Sequence, residues 1–300
     1  YFRTTLDLLW EYNVPMPPYL YSTILANAGT MENNGVEVHL SAIPVMTDNF
    51  RWTTTLNYST NKNSVKSLSS GDFRIESGYF YAGYIGNTIK QNTHIVKEGE
   101  EIGNFYGYKV IDVDNDGRWI IQGADGNPKP INEQQESDKT VLGNGLPKHL
   151  LSWDNTVTFK NFDFNVSMRG AFGYQVLNIP RLYYEVPVEL AHGNLLSTAY
   201  DNVFGKRPLS DLQELQYVSY YIEDGDFWKI DAITFGYTWN FPKKALKKLR
   251  LYANGSNLFT FTGYSGIDPE VNTQSLDPGI DPLYRYPTTR SFTLGAMLTF

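Results

Sequence analysis

Asp112-Val113-Asp114-Asn115-Asp116-Gly117 sets three carboxylates at alternate positions and ends them on a glycine. This is the first half of a calcium loop, in which oxygen donors two residues apart converge on one hard cation while the glycine makes the turn. The bidentate acid expected at the twelfth position of such a loop is absent: Gly123 stands there, with Glu136 and Asp138 as distant donors further on. Two readings stay open, a Ca2+ site on Asp112, Asp114 and Asp116, or a solvated acidic hairpin tip.

Other catalytic chemistry is thinly represented. His39, His94, His149 and His192 stand far apart at no helical or strand spacing and read as solvated or interior-facing side chains rather than metal ligands. No HExxH, GxSxG or phosphate loop occurs. Glu100-Glu101 and Glu223-Asp224 are carboxylate pairs of the kind hydrolases use, but among 32 acidic residues such neighbours are expected. The absence of cysteine removes disulfides and thiolate metal sites. The sequence is read as non-enzymatic, with calcium the one candidate cofactor.

Aromatic clusters are the stronger signal for binding. Tyr79, Phe80, Tyr81 and Tyr84 form one, Tyr183 and Tyr184 a second, Tyr217, Tyr220 and Tyr221 a third, Tyr284 and Tyr286 a fourth. Tyrosine has a flat apolar face and a polar tip, suited to stacking on sugar rings or peptide side chains. The same residues serve equally at a membrane-interface girdle or against a protein partner. Net charge is -7, so nucleic acid is not an expected partner.

The elements that must carry these groups are strands. Among 300 residues the chain has 22 Tyr, 17 Phe, 6 Trp and 25 Gly, a mixture typical of all-β proteins with many loops. No stretch approaches the ~18 apolar residues of a spanning helix. Eight segments alternate apolar and polar: 1–10, 36–42, 51–61, 151–159, 162–172, 233–241, 249–261 and 291–300, the first and seventh less cleanly. In 162–172, for example, Phe162, Phe164, Val166, Met168 and Phe172 oppose Asp163, Asn165, Ser167 and Arg169. A mean hydropathy of -0.37 is compatible with a membrane barrel, where only alternate residues meet lipid.

Alternation alone fits a soluble sandwich as well. Connection lengths decide. Turns near 45–50, 160–162 and 242–248 are short, and the last contains Lys243, Lys244, Lys247 and Lys248. The connections 12–34, 67–148, 175–225 and 263–288 are long, and the two kinds alternate strictly. Bacterial outer-membrane barrels have short periplasmic turns and long outer loops. The chain stops at Phe300 on the apolar phase of a strand, in the pattern polar-x-Gly-x-x-apolar-x-aromatic (Thr293 to Phe300), which resembles the assembly signal of such barrels. The start, Tyr1-Phe2-Arg3, reads as mid-strand, so the chain is expected to be a piece of a longer protein.

Four blocks resemble the SusC/RagA-like family of TonB-dependent transporters. They are Asn27 to Glu37 (NAGTMENNGVE, similar to NxGxMxNxGxE), Glu223 to Ile230 leading into Thr234-Phe235-Gly236-Tyr237, Leu249 to Thr262 followed by Gly266-Ile267-Asp268-Pro269-Glu270, and Tyr286 to Phe300. Phe227-Trp228 departs from the smaller pair usual in the family. On residue chemistry alone, Gly29 and Gly35 supply a bulge or positive φ at a strand start, Asn257 caps a strand end, and Asp268-Pro269 and Asp277-Pro278-Gly279 make turns.

The resemblance implies that residues 1–300 are the C-terminal part, about eight strands, of a transmembrane antiparallel β-barrel of about 22 strands with long extracellular loops. The N-terminal plug, the TonB-contacting segment and the earlier strands would lie outside this chain. It further implies outer-membrane import of oligomeric nutrients, glycan oligosaccharides or peptides, energised by TonB, with a SusD-like surface lipoprotein as lid. The outer loops, with Tyr79, Tyr81, Tyr84, Tyr183, Tyr184, Tyr220, Tyr221, Tyr284 and Tyr286, would meet lid and substrate. The rival readings are a passive outer-membrane porin and a soluble all-β carbohydrate-binding or hydrolase domain.

Overall fold

A computed structural model describes the chain apart from residues 6–8, 14–19, 21–22, 28, 71–72, 76, 87, 192 and 242–244; of 9–13, 23–27, 70, 73 and 74 it describes the backbone alone. Eight strands form one antiparallel sheet in chain order: β1 (Phe2–Thr5), β2 (Thr30–Met46), β3 (Phe50–Ser67), β4 (His149–Phe159), β5 (Phe162–Phe172), β6 (Phe227–Asn240), β7 (Lys248–Thr262) and β8 (Ser291–Thr299). Each alternating segment of the sequence has its strand, although β1 ends at Thr5, and Leu9–Asn13 pairs with Thr23–Asn27 in a separate hairpin. The described sheet is an open curved wall whose outer strands, β1 and β8, each pair on one side.

Register aligns the apolar phases of neighbouring strands. One row runs Phe50–Phe159–Phe162–Tyr237–Leu251–Ala296, another Leu40–Leu56–Trp153–Met168. The outer face is therefore exposed and apolar: Phe292 and Leu294 are 80% and 86% accessible. Lipid is the solvent in which such a face is stable. Phe162 packs on Phe235 and, edge-on, on Tyr237 at 4.6 Å, while Tyr237 meets Trp239 at 4.5 Å, so rings gather at the short-turn end as in an interfacial girdle. Polar groups on this face are occupied: the Trp52 Nε1–H donates to Asn155 Oδ1 at 3.1 Å and the Trp153 Nε1–H to the Thr54 hydroxyl at 2.9 Å. The 11 residues of β4 and of β5 amount to roughly 36 Å of strand, or about 26 Å along the normal at a 45° tilt, enough for the apolar band of an outer membrane.

The inner face is polar and cross-linked. Arg250 on β7 donates to both oxygens of Asp163 on β5, at 2.9 and 2.5 Å, across β6. Gly236 on β6 makes this reach feasible, since a Cβ there would press on both partners. Gly35 likewise serves by absence of a side chain, because a Cβ would collide with the Thr60 carbonyl; Gly29 is the one of the pair with positive φ, at 105°. Asn257 does not end its strand as expected. It sits inside β7 with φ 54° at a bulge opposite Ile230–Ala232, and the strand continues to Thr262.

The long connections are more ordered than their sequences suggest. Four strands of the 68–148 connection (Tyr79–Ile85, Gln91–Lys97, Asn104–Tyr108, Lys139–Asn144) form a sheet, and Val110–Val113, Trp119–Gln122 and Pro128–Pro130 form a meander. Gln175–Asn178 pairs with Ile222–Asp224 and, in parallel, with Ile280–Asp281, which stitches two further connections together. Phe105, Trp119, Ile121, Leu177, Leu182, Val218 and Tyr221 share one buried core. The three long connections after β3, β5 and β7 thus gather at one end of the wall as a packed body.

Candidate functional site

Beneath this body, against the inner face of the wall, lies a cleft of about 920 Å³. Register builds its floor. Glu37, Ser59, Leu150, Ala171 and Phe227 form one row across β2 to β6, and His39, Asn57, Ser152, Arg169 and Lys229 the next. Residues 270–274, from the connection after β7, form the other side. The lining is mixed: hydroxyls and carboxamides (Asn57, Ser59, Ser152, Asn272, Gln274), the charged Glu37, Arg169 and Glu270, and an aliphatic patch at Leu150 and Leu151. Its rings are engaged elsewhere: Tyr58 stacks on His149, and Tyr174 and Phe227 are buried.

Charges at the edge of the cleft are paired with one another. Lys229 Nζ donates to Asp268 Oδ1 and Oδ2 at 2.8 and 2.9 Å and to Glu270 Oε2 at 2.8 Å. Arg169 grips both Glu270 oxygens and donates through Nε to Asp231 at 2.7 Å. Arg285 donates to the Asp268 and Glu270 carbonyls, the Thr288 hydroxyl to Asp268 at 2.6 Å, and the Tyr174 hydroxyl to the Pro269 carbonyl at 2.9 Å. Burial opposes ionisation of Glu270, but the hydrogen bonds and charges of Arg169 and Lys229 outweigh it and hold the carboxyl at about 2. Asp268 is held low in the same way, against its burial, by Lys229, Thr288 and the Glu270 amide. Sequence reasoning read Asp268-Pro269 as turn chemistry alone and missed this cluster; the visible signal was an acid-Pro-acid triplet entering a long loop while Arg169 stood on the polar phase of its strand.

The sequence-level candidates fall into three groups. Tyr79, Tyr81 and Tyr84 are exposed on the loop body, as are Tyr284 and Tyr286, the last two at 87% and 83%. Tyr81 stacks on Tyr106 and donates to Glu136 Oε1 at 2.9 Å. Tyr183 and Tyr221, by contrast, are core residues, and Tyr184 and Tyr220 pack partly against that core, with Arg181 over the Tyr220 ring. Burial sets Tyr183 and Tyr221 apart from the exposed candidates: an apolar ring amid Trp119, Leu182 and Val186 gains more from burial than from solvent.

The acidic run Asp112 to Gly117 is placed on the loop body. Among the described residues no group of three or more His, Asp or Glu side chains is placed to hold a metal ion. Asp112 accepts from the Val113 amide and pairs with Lys206, and Asp114 Oδ1 accepts the Asp116 and Arg118 amides at 2.9 Å. The run is a hairpin turn whose acids serve local donors. It is docked rather than free, since the Ser210 amide donates to the Gly117 carbonyl at 2.9 Å. His94, expected to be solvated, is buried, with Nε2 on the Pro278 carbonyl at 2.9 Å and the ring 4.4 Å from Phe105. His39 does face inward, 2.5 Å from Asn57. His192, Lys243 and Lys244 lie outside the described residues.

A wall with a lipid-compatible outer face, a polar inner face and one body of folded loops is a segment of an outer-membrane β-barrel. No family model matches the chain. It is 31% identical to TonB-dependent receptor P3 of Formosa agariphila, over 99% of this chain and 31% of that protein. To TonB-dependent receptor SusC of Bacteroides thetaiotaomicron it is 29% identical, over 100% of this chain and 29% of that protein. In fold it matches the RagAB peptide importer in its closed-closed state with a TM-score of 0.80 at 18% identity, over 100% of this chain and 33% of that one. Along its whole length the chain is similar to proteins named as TonB-dependent receptors, SusC among them, and it spans about a third of the length of these relatives. By name the relatives are receptors and importers, not enzymes.

Proposed function

We propose that this chain is the C-terminal part of the barrel of a TonB-dependent transporter that imports oligomeric nutrients across the outer membrane under a SusD-like lipoprotein lid. The observation that carries the reading is the cleft: a recess of mixed polar and apolar lining, roofed by a folded loop, on the inner face of a wall whose outer face suits lipid. Whole-length similarity to proteins named as TonB-dependent receptors supports the energised mode over passive diffusion. Of the two oligomer classes, peptides are favoured over glycans. Tyr58 is stacked on His149 and Tyr174 and Phe227 are buried, which leaves little aromatic surface for a sugar, whereas the carboxamides and hydroxyls match the alternating N–H and C=O of an extended peptide.

The test is uptake by cells carrying the complete protein, with fluorescent oligopeptides and oligosaccharides offered separately. Peptide uptake that disappears on deleting either the receptor or TonB is the expected result. Uptake that survives loss of TonB would establish the porin reading instead. Extraction of the protein without detergent would establish the soluble one.

A further inference from the structure

The strongest geometry in the molecule is spent on three residues of one loop. Lys229 keeps 5% of its side-chain surface and donates three hydrogen bonds to Asp268 and Glu270, which uses every N–H of the ammonium. Arg169 and Tyr174, on and just after β5, and Arg285 and Thr288, further along the same loop, close on this three-residue stretch. Buried ion pairs are a poor source of stability, because desolvation cancels most of the Coulomb gain; what they supply is one fixed geometry. The fixed stretch leads directly into Val271, Asn272, Thr273 and Gln274, which overhang the cleft floor. The overhang is pinned within its length as well, with the Gly279 amide donating to the Asn272 carbonyl at 3.0 Å. Just past the second anchor, with its amide on Asn272 Oδ1 at 2.9 Å, Gln274 has an exposed side chain that makes no hydrogen bond within the described residues, which leaves its carboxamide open to a ligand.

We propose that Lys229 is a positioning residue for the imported oligomer: through Asp268 and Glu270 it fixes residues 270–274 as the roof of the lumenal cleft, and that cleft is where the oligomer sits. This rests on the import reading above. Lys229 touches no substrate; Gln274 does. A recess shaped by a loop loses affinity when the loop is free to wander, even though every contact group is still present.

The experiment uses the full-length receptor in its own membrane and a fluorescein-labelled decapeptide pool, with uptake normalised to surface-labelled receptor. Glu270→Gln keeps shape but releases the Arg169 fork and one Lys229 bond; Lys229→Met with Asp268→Asn removes the buried pair without stranding a carboxylate; Gln274→Leu alters the roof contact and is exposed, so its assembly is secure. Each should raise the half-saturating concentration by about tenfold with the maximal rate per receptor within about twofold, as removal of uniform binding requires. Lys229→Arg should stay near wild type. Unchanged half-saturation in both Glu270→Gln and Gln274→Leu overturns the proposal, as does a loss confined to the amount of assembled receptor. If the wild type itself shows no TonB-dependent uptake, it is the import reading that fails; if wild-type uptake is TonB-dependent and the variants match it, only the roof does.

Discussion

Burial pulls the His94 imidazole down to about 4, with the Pro278 carbonyl and the Asp277 charge opposing that shift only in part. Its folded value lies below its unfolded one, so the unfolded state takes up the proton first. The neutral ring's contribution is complete above about pH 6.5 and is lost as pH falls from there toward 4. By pH 5 the loop body should have lost roughly 2 kcal/mol, seen as faster protease nicking of the 68–148 connection at pH 5 than at pH 7 and abolished in His94→Gln. Glu270 has the same sign in a lower window: its pairing is complete above the ordinary glutamate range and fails only near 2, so the cleft roof should be indifferent to pH between 5 and 8. At Gly35 the expected fault is steric. Gly35→Val drives a side chain into the Thr60 carbonyl and should cut the amount of folded receptor several-fold, while Gly86→Ala, where an added Cβ meets nothing, should not. For the acidic turn, chelator should leave proteolysis of residues 110–123 unchanged, and Asp112→Asn should loosen it through the lost Lys206 pair with calcium present or absent.

At the scale of elements, the three short turns between β2 and β3, β4 and β5, and β6 and β7 must lie at the end opposite the folded loops, because each pair is an antiparallel hairpin. Placing the short turns in the periplasm, Asp114→Cys should react with an impermeant maleimide on intact cells and Ala245→Cys only after the outer membrane is opened. Reaction of both on intact cells would refute this orientation. The wall was legible in the sequence because a sheet with lipid on one side and water on the other forces period-two alternation over many residues, as in Phe162 to Phe172. The loop body was not. Its strands run from two to seven residues and several, such as Val110–Val113 and Gln175–Asn178, carry buried residues without a clean alternating phase. The cleft was half legible: alternation placed Arg169 on the polar phase, but the meeting of Lys229 with Asp268 depends on tertiary folding of a 39-residue separation that no local pattern encodes.

At the scale of the whole molecule, a wall with β1 and β8 each paired on one side leaves two rows of backbone donors and acceptors that lipid cannot satisfy. These 300 residues expressed alone should therefore yield no heat-modifiable, protease-resistant barrel; recovery of one would show that the wall closes on itself. Phe300, exposed at the end of β8 on the apolar phase, should matter for assembly rather than transport: Phe300→Ala should lower the receptor level severalfold and leave uptake per receptor near normal. The short sheet that joins Gln175–Asn178 to Ile280–Asp281 carries a consequence in time. Leu177 can meet Ile280 only once the final long connection has folded back, whereas the buried residues of the core all come from the two earlier connections. Long-range pairing of this kind is slow to form, and it comes last. The parallel pairing therefore ties the last connection onto the loop core, and its loss should loosen residues 263–290 more than the core itself.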